Sequence, residues 1–183
     1  MHAAGFVLAG GQSRRMGRDK AMLPWGSGVL LEDVAKRVAV AAGNVAVVGD
    51  PAAYGHLGIE CLADLHPGLG PLSGIEAALA SNRGTCNLIV ACDMPGLPVE
   101  HLRALLRAAR EGVSRCVVTI DGAEKIHPLC AVYFDNCLPE VERALEENRL
   151  RLLDLVQQLN PAVVRCSQPL VNVNSMEDWS AAV

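Results

Sequence analysis

Residues 4–20 read AGFVLAGGQSRRMGRDK: a short apolar run, two glycines, then three arginines, an aspartate and a lysine. An apolar run that stops at a glycine pair is the pattern of a buried strand entering a tight turn. Four more runs of this kind follow, NVAVV (44–48), NLIVA (87–91), RCVVTI (115–120) and PLCAVYF (128–134). Helical spacing lies between and after them. The clearest case follows Pro98, with Leu102, Leu105, Leu106 and Ala109 on one stripe. Residues 72–80 place Leu72, Ile75 and Leu79 at the same spacing, and helices are also expected over 30–41, 139–147 and 152–159. Strands alternating with helices predict an α/β protein with right-handed crossovers and a mainly parallel, three-layer, Rossmann-like arrangement. In such sheets ligands bind beyond the carboxyl ends of the strands.

Composition agrees with this reading. The chain has 183 residues, which fits a single domain over 1–183. It is 51% hydrophobic but only 3% aromatic, so Leu, Val, Ala and Ile must fill the core, as in sheets covered on both faces. A net charge of −4 without a long basic run argues against nucleic acid or an acidic membrane as partner. Seven cysteines (Cys61, Cys86, Cys92, Cys116, Cys130, Cys137, Cys166) form no C-x-x-C pair and no metal-ligand spacing. They read as small buried hydrophobes in a reducing compartment. The apolar N-terminus has no basic leader and is too short to span a bilayer, so a cytoplasmic protein is expected.

The opening stretch leaves its strand at the favoured edge. Gly10 and Gly11 would let main-chain N–H groups approach a ligand, and Arg14, Arg15, Arg18 and Lys20 could meet phosphate oxygens. An ordinary β–α turn with solvated charges is the competing reading. Neither G-x-x-x-x-G-K-[ST] nor G-x-G-x-x-G is present, which excludes the two common phosphate loops.

Three further stretches carry candidate chemistry. DLHPGLGPLSGI (64–75) is a Pro- and Gly-rich loop opening a helix, where Asp64 could accept hydrogen bonds from a purine edge, or where Ser73 could simply cap the helix. LIVACDMPGLP (88–98) ends an apolar strand with Asp93, which suits a magnesium ligand, since Mg²⁺ takes few protein oxygens. A turn cap before Pro95 is the alternative. VNVNSMEDW (171–179) would place Asn172 and Asn174 on one side of a strand, with Ser175 free to cap the last helix.

LAGGQSRRMGRDK resembles the L-A-G-G-x-x-x-R-M-G-x-D-K signature of nucleotidyltransferases, and within them of the molybdenum cofactor guanylyltransferases. The resemblance extends through P-G-L-G-P-L-S-G, C-D-M-P, H-P-L-C-A-V-Y and N-V-N-S-M-E-D, from residue 4 to about residue 179. It implies a nucleotidyltransferase domain whose first hundred or so residues bind the nucleotide while 101–183 bind the acceptor. It implies transfer of GMP from GTP to molybdopterin carrying molybdenum, with Mg²⁺ as cofactor and pyrophosphate released. Carried over by match, Leu8, Ala9, Gly10 and Gly11 line the nucleotide, Lys20 contacts its phosphates with Arg15 as helper, Asp64 binds the nucleotide and Asp93 holds the metal. Asn172, Asn174, His127 and one of Arg149 and Arg151 are candidates for contact with the pterin cofactor, with Arg151 the one assigned. The same resemblance implies hand-over to cofactor-insertion chaperones or molybdoenzymes. Where some family members have an asparagine after the second strand this chain has Gly49 and Asp50, so a nucleotide contact is either missing or made by Asp50. The rival readings are cytidylyl transfer from CTP, another small-substrate nucleotidyltransferase, and a non-catalytic nucleotide-binding adaptor.

Overall fold

In a computed structural model, which describes residues 2–10, 19–168 and 170–182, strand β1 (Ala3–Leu8) is buried along its whole length. Side chains alternate across a strand. Val7 therefore joins a core on one face of the sheet, and Phe6 and Leu8 join a core on the other. Strands β4 (Ala46–Gly49), β5 (Cys61–Ala63), β6 (Cys86–Ala91), β7 (Cys116–Ile120), β8 (Ile126–Phe134) and β9 (Ala162–Arg165) complete a seven-stranded sheet in the order β5-β4-β1-β6-β8-β7-β9. A small hairpin of β2 (Pro24–Trp25) and β3 (Gly28–Val29) stands apart.

Helices α1 (Leu30–Ala42) and α4 (Val99–Glu111) cover the Val7 face through residues such as Leu31, Val34, Leu102 and Leu105. Helices α3 (Pro71–Ala80), α5 (Leu138–Glu146) and α6 (Leu152–Gln158) cover the Phe6 face. Each large side chain removed from water on these faces contributes about 1.5–3 kcal/mol. The result is the expected three-layer α/β/α arrangement. Two short helices, α2 (Pro51–Tyr54) and α7 (Met176–Ala182), flank it. Among the described residues no helix is long and apolar enough to cross a membrane.

Every expected strand and long helix is present, with ends shifted by one or two residues. The structure departs from the sequence reading in three places. Strand β8 runs antiparallel to β6 and β7, because the five-residue connection 121–125 is too short for the crossover a parallel pair needs. The short strands β5 and β9 both lengthen the sheet in parallel. The segment carrying Asn172 and Asn174 is not a strand. Its backbone donors are spent elsewhere: Val173 N–H on the Asp93 carbonyl, and the Asn174 and Ser175 N–H groups on the Asp178 carboxylate. Ser175 Oγ in turn accepts from Asp178 N–H and caps α7, as expected.

Candidate active site

The carboxyl ends of β1, β4 and β6 are knitted together by backbone bonds just past the strands. Ala9 N–H donates to Val48 O at 2.8 Å, and Cys92 N–H donates to Leu8 O at 3.0 Å. Gly10 follows at φ +146°, a conformation open to glycine and closed to most side chains. A cavity of about 280 Å³ opens there, walled by Leu8, Ala9, Gly10, Asp19, Lys20, Asp64, Cys92, Asp93 and Leu129 among others. A second cavity of about 730 Å³ shares Ala9, Gly10, Asp64 and Gly70 with it and extends over Gly49, Asp50, Tyr54, Pro67 and Gly68. Together they form one cleft where the sheet edge predicts a ligand.

Lys20 begins a short 3₁₀ turn, Lys20–Met22. Asp19 caps the turn, its Oδ1 accepting from Ala21 N–H at 3.0 Å, while its Oδ2 accepts from the Tyr54 hydroxyl at 2.8 Å. Tyr54 is thereby held as a neutral phenol, its pKa raised first by burial and then by that bond. The Lys20 ammonium donates to Asn174 Oδ1 at 3.3 Å.

On the facing wall, Asp93 Oδ1 is buried and has no hydrogen-bond partner among the described residues. Burial pushes the Asp93 carboxyl up, and Lys20, its own backbone N–H, Lys125 and His127 pull against that shift. Asn172 Oδ1, on the segment hydrogen-bonded to the Asp93 backbone, is likewise buried and unpartnered. Of the two, Asp93 lines the smaller cavity and Asn172 lines neither cavity; a buried carboxylate oxygen without a donor suits a small divalent cation, since Mg²⁺ uses one or two protein oxygens and completes its shell with water and phosphate. Among the described residues no group of three or more acidic, His or Cys side chains is placed to hold a metal. The Cys92 thiol lines the same wall and is pushed by burial up to about 12, so it is a neutral, unreactive group at pH 7.

Asp64 Oδ1 accepts from His66 N–H at 3.0 Å and from the Ser73 hydroxyl, leaving Oδ2 without a partner among the described residues. Ser73 does not cap α3, which starts at Pro71 after Gly70, and no side chain caps that helix. Asp50 caps α2, its Oδ1 accepting from Ala52 N–H at 2.9 Å, and it stands on the wall of the larger cavity.

The structure thus gathers Leu8, Ala9, Gly10, Lys20, Asp64 and Asp93 around one cleft, with Asn174 joined to it through Lys20. Gly11 and Arg15, with Arg14 and Arg18, lie outside the described residues. His127 lines neither cavity. It is 3% exposed and bonds through Nε2 to Asp121 Oδ2 at 2.8 Å, in the sheet behind the cleft. Arg151 lines neither cavity; it is 80% exposed, precedes α6 and pairs with Asp154 of that helix at 3.6 Å. Arg149 pairs with Glu147 at 2.6 Å.

Against this geometry, a family model described as the MobA-like NTP transferase domain matches residues 5–162. The chain belongs to that family. A probable molybdenum cofactor guanylyltransferase of Carboxydothermus hydrogenoformans is 32% identical over 94% of this chain and 91% of its own length. A molybdenum cofactor guanylyltransferase of Xanthomonas euvesicatoria is 35% identical over 98% of this chain and 93% of its own. The crystal structure of the molybdopterin-guanine dinucleotide biosynthesis protein A of Archaeoglobus fulgidus superposes with a TM-score of 0.82 at 25% identity, over 98% of this chain and 96% of that one. The family resemblance of the sequence motifs is thereby borne out.

Two wall residues escape a reading of motifs. Asp19 sits inside the signature, but its tie to Tyr54 spans 35 positions and has no local signal. Leu129 reaches the cleft because the register of β8 slips: Val118 pairs with Ala131, yet the next residue, Thr119, pairs with His127. Pro128 lacks the N–H that regular pairing would need, and bulges of this kind re-aim side chains beside sites. Two side-chain hydroxyls satisfy the carbonyls freed there, Tyr133 on Pro128 O at 2.8 Å and Thr119 on Cys130 O at 2.7 Å.

Proposed function

We propose that this enzyme transfers GMP from GTP to the terminal phosphate of molybdopterin, releasing pyrophosphate. The observation that carries the reading is the pairing of Lys20 and Asp93 across one cavity at the ends of β1 and β6. A phosphate monoester is already anionic near neutral pH, so its attack on the α-phosphate needs no general base. Alignment of two anions and neutralisation of the charge that builds on the leaving pyrophosphate are what remain for the protein to supply.

The residues divide that task. The larger cavity, about 730 Å³, has room for a nucleoside, and Asp64 and Asp50 line it and would accept from N–H groups of guanine. The backbone at Ala9 and Gly10 allows close approach of the sugar and phosphates, and Lys20 supplies a point charge for the phosphate chain. Mg²⁺ would be held by Asp93 and would neutralise phosphate charge there. Asn174 would lose its bond to Lys20 when phosphate takes the ammonium, and its amide would then be free for the acceptor.

The reading is tested by offering GTP, CTP, ATP and UTP separately with Mg²⁺ and molybdopterin and identifying the dinucleotide by mass. Guanine dinucleotide with pyrophosphate is expected. Cytosine dinucleotide would make the enzyme a cytidylyltransferase, and no pyrophosphate from any triphosphate would leave an adaptor.

A further inference from the structure

Asp121 directly follows β7, with hydrogen bonds to both carboxylate oxygens. Oδ1 accepts from Ala123 N–H at 2.9 Å and Lys125 N–H at 3.0 Å. Oδ2 accepts from His127 Nε2 at 2.8 Å and Leu170 N–H at 3.3 Å. Asp121 and His127 are each only 3% exposed and line neither of the two cavities. A buried carboxylate costs free energy unless it is hydrogen-bonded, and here all four bonds go to two pieces of chain. One is the tight turn from β7 into β8. The other is the C-terminal segment that leaves β9.

That segment is tied to the sheet at successive points before it reaches the site. Cys166 N–H donates to Ile120 O at 2.8 Å, Gly122 N–H donates to Gln168 O at 3.3 Å, and Leu170 N–H meets Asp121. Three residues later Val173 N–H donates to Asp93 O at 2.8 Å, and Asn174 accepts from Lys20. The Asp121 end of β8 also carries the bulge that brings Leu129 to the cavity wall.

We infer that Asp121 and His127 are a positioning pair that fixes residues 170–174 against Asp93, and through them sets the acceptor half of the cleft. This rests on the proposed transfer for its kinetic consequence, but not for the structural coupling. Removing the pair loosens the segment that carries Asn172 and Asn174, while the GTP half keeps its own supports. Lys20 stays on a turn capped by Asp19, and the walls at Ala9, Gly10 and Asp64 belong to other strands.

The experiment compares wild type with Asp121→Asn, His127→Gln and His127→Ala by amide hydrogen exchange, by GTP binding, and by turnover with GTP, Mg²⁺ and molybdopterin. In Asp121→Asn the amides of Leu170 and Val173 are expected to exchange at least about tenfold faster while those of β1 and β6 keep their protection. Turnover number falls at least about tenfold while the GTP dissociation constant, measured without Mg²⁺, stays within about threefold. His127→Gln, which keeps a side-chain donor for Asp121, retains more turnover than His127→Ala. Unchanged exchange at Leu170 and Val173 overturns the inference, as does an equal loss of GTP affinity and turnover. If Asp121→Asn does not fold, the two His127 variants decide by the same comparisons. If the wild-type enzyme transfers no GMP, the functional reading falls, and the exchange measurement still decides the coupling.

Discussion

Lys20 Nζ donates to Asn174 Oδ1 at 3.3 Å across 154 positions of sequence, so the first loop and the last segment of the chain meet at one ammonium group. A neutral amide can yield that ammonium to a phosphate, whereas a carboxylate would hold it. Asn174→Asp is therefore expected to weaken GTP about three- to fivefold, because an exposed ion pair is worth ~1 kcal/mol or less. Lys20→Ala removes charge-assisted bonds worth ~2 kcal/mol and should weaken GTP roughly thirtyfold. Calorimetric titration of both variants checks the pair, and GTP affinity unchanged in either one denies Lys20 its phosphate role.

Asp93 offers a test in which stability and activity move in opposite directions. Its carboxyl is raised chiefly by burial, so in the metal-free protein the charged form is disfavoured relative to the unfolded chain. Asp93→Asn relieves that penalty. The variant is expected to melt at a higher temperature than wild type at pH 7 without Mg²⁺, yet to lose turnover by about a thousandfold, the scale of several kcal/mol of charge neutralisation. Scanning calorimetry and a pyrophosphate assay measure the two sides. A variant that melts lower and still turns over would remove Asp93 from the metal site.

These two residues were legible in the sequence because their signal is local. Each ends or follows an apolar run, and the end of a parallel strand is where such folds bind ligands. What was not legible depends on contacts formed only after the sheet assembles. Asn172 and Asn174 have the alternation of a strand, but Asp93 O and Asp178 capture the backbone donors that a ladder would need. His127 reads as a strand-edge residue before a proline and a candidate for cofactor contact, and only the turn from β7 to β8 folds Asp121 onto it. The direction of β8 was open to reading, since a five-residue connection cannot cross over. Tyr54 gives no such hint, since its hydroxyl finds Asp19 only through tertiary packing.

Acid should expose the Asp121 pair. The His127 hydrogen bond, followed by those from the backbone N–H groups of Lys125, Leu170 and Ala123, holds its carboxyl well below the usual carboxylate range against the opposing effect of burial. A carboxylate with a depressed folded pKa stabilises the fold above its unfolded value of about 4. That contribution is lost as pH falls through the folded value. Asp121→Asn lacks it at every pH, so the stability gap between wild type and variant is expected to be widest above about pH 4 and to narrow steadily below it. Urea unfolding of both proteins in steps from pH 6 to pH 2.5 measures the gap, and a constant difference would deny the carboxylate its ionised role.

Gly49 shows how closely the wall of the larger cavity is packed. A Cβ there would run into the Ala9 carbonyl and come within 2.8 Å of the Tyr54 ring. Ala9 and Tyr54 both line the larger cavity, and Tyr54 holds Asp19, which caps the turn of Lys20. Gly49→Ala must therefore push the ring or the strand end outward, at a cost of roughly 1–3 kcal/mol for overpacking a filled site. The displacement should reach the ligand as well, through the ring, Asp19 and the lysine turn. A lower melting temperature together with weaker GTP binding is expected. Gly55→Ala is the control, since nothing lies within 4 Å of a Cβ at that position, just after α2. Equal behaviour of the two variants would mean that the wall at Gly49 yields freely and that Tyr54 does not transmit to Lys20.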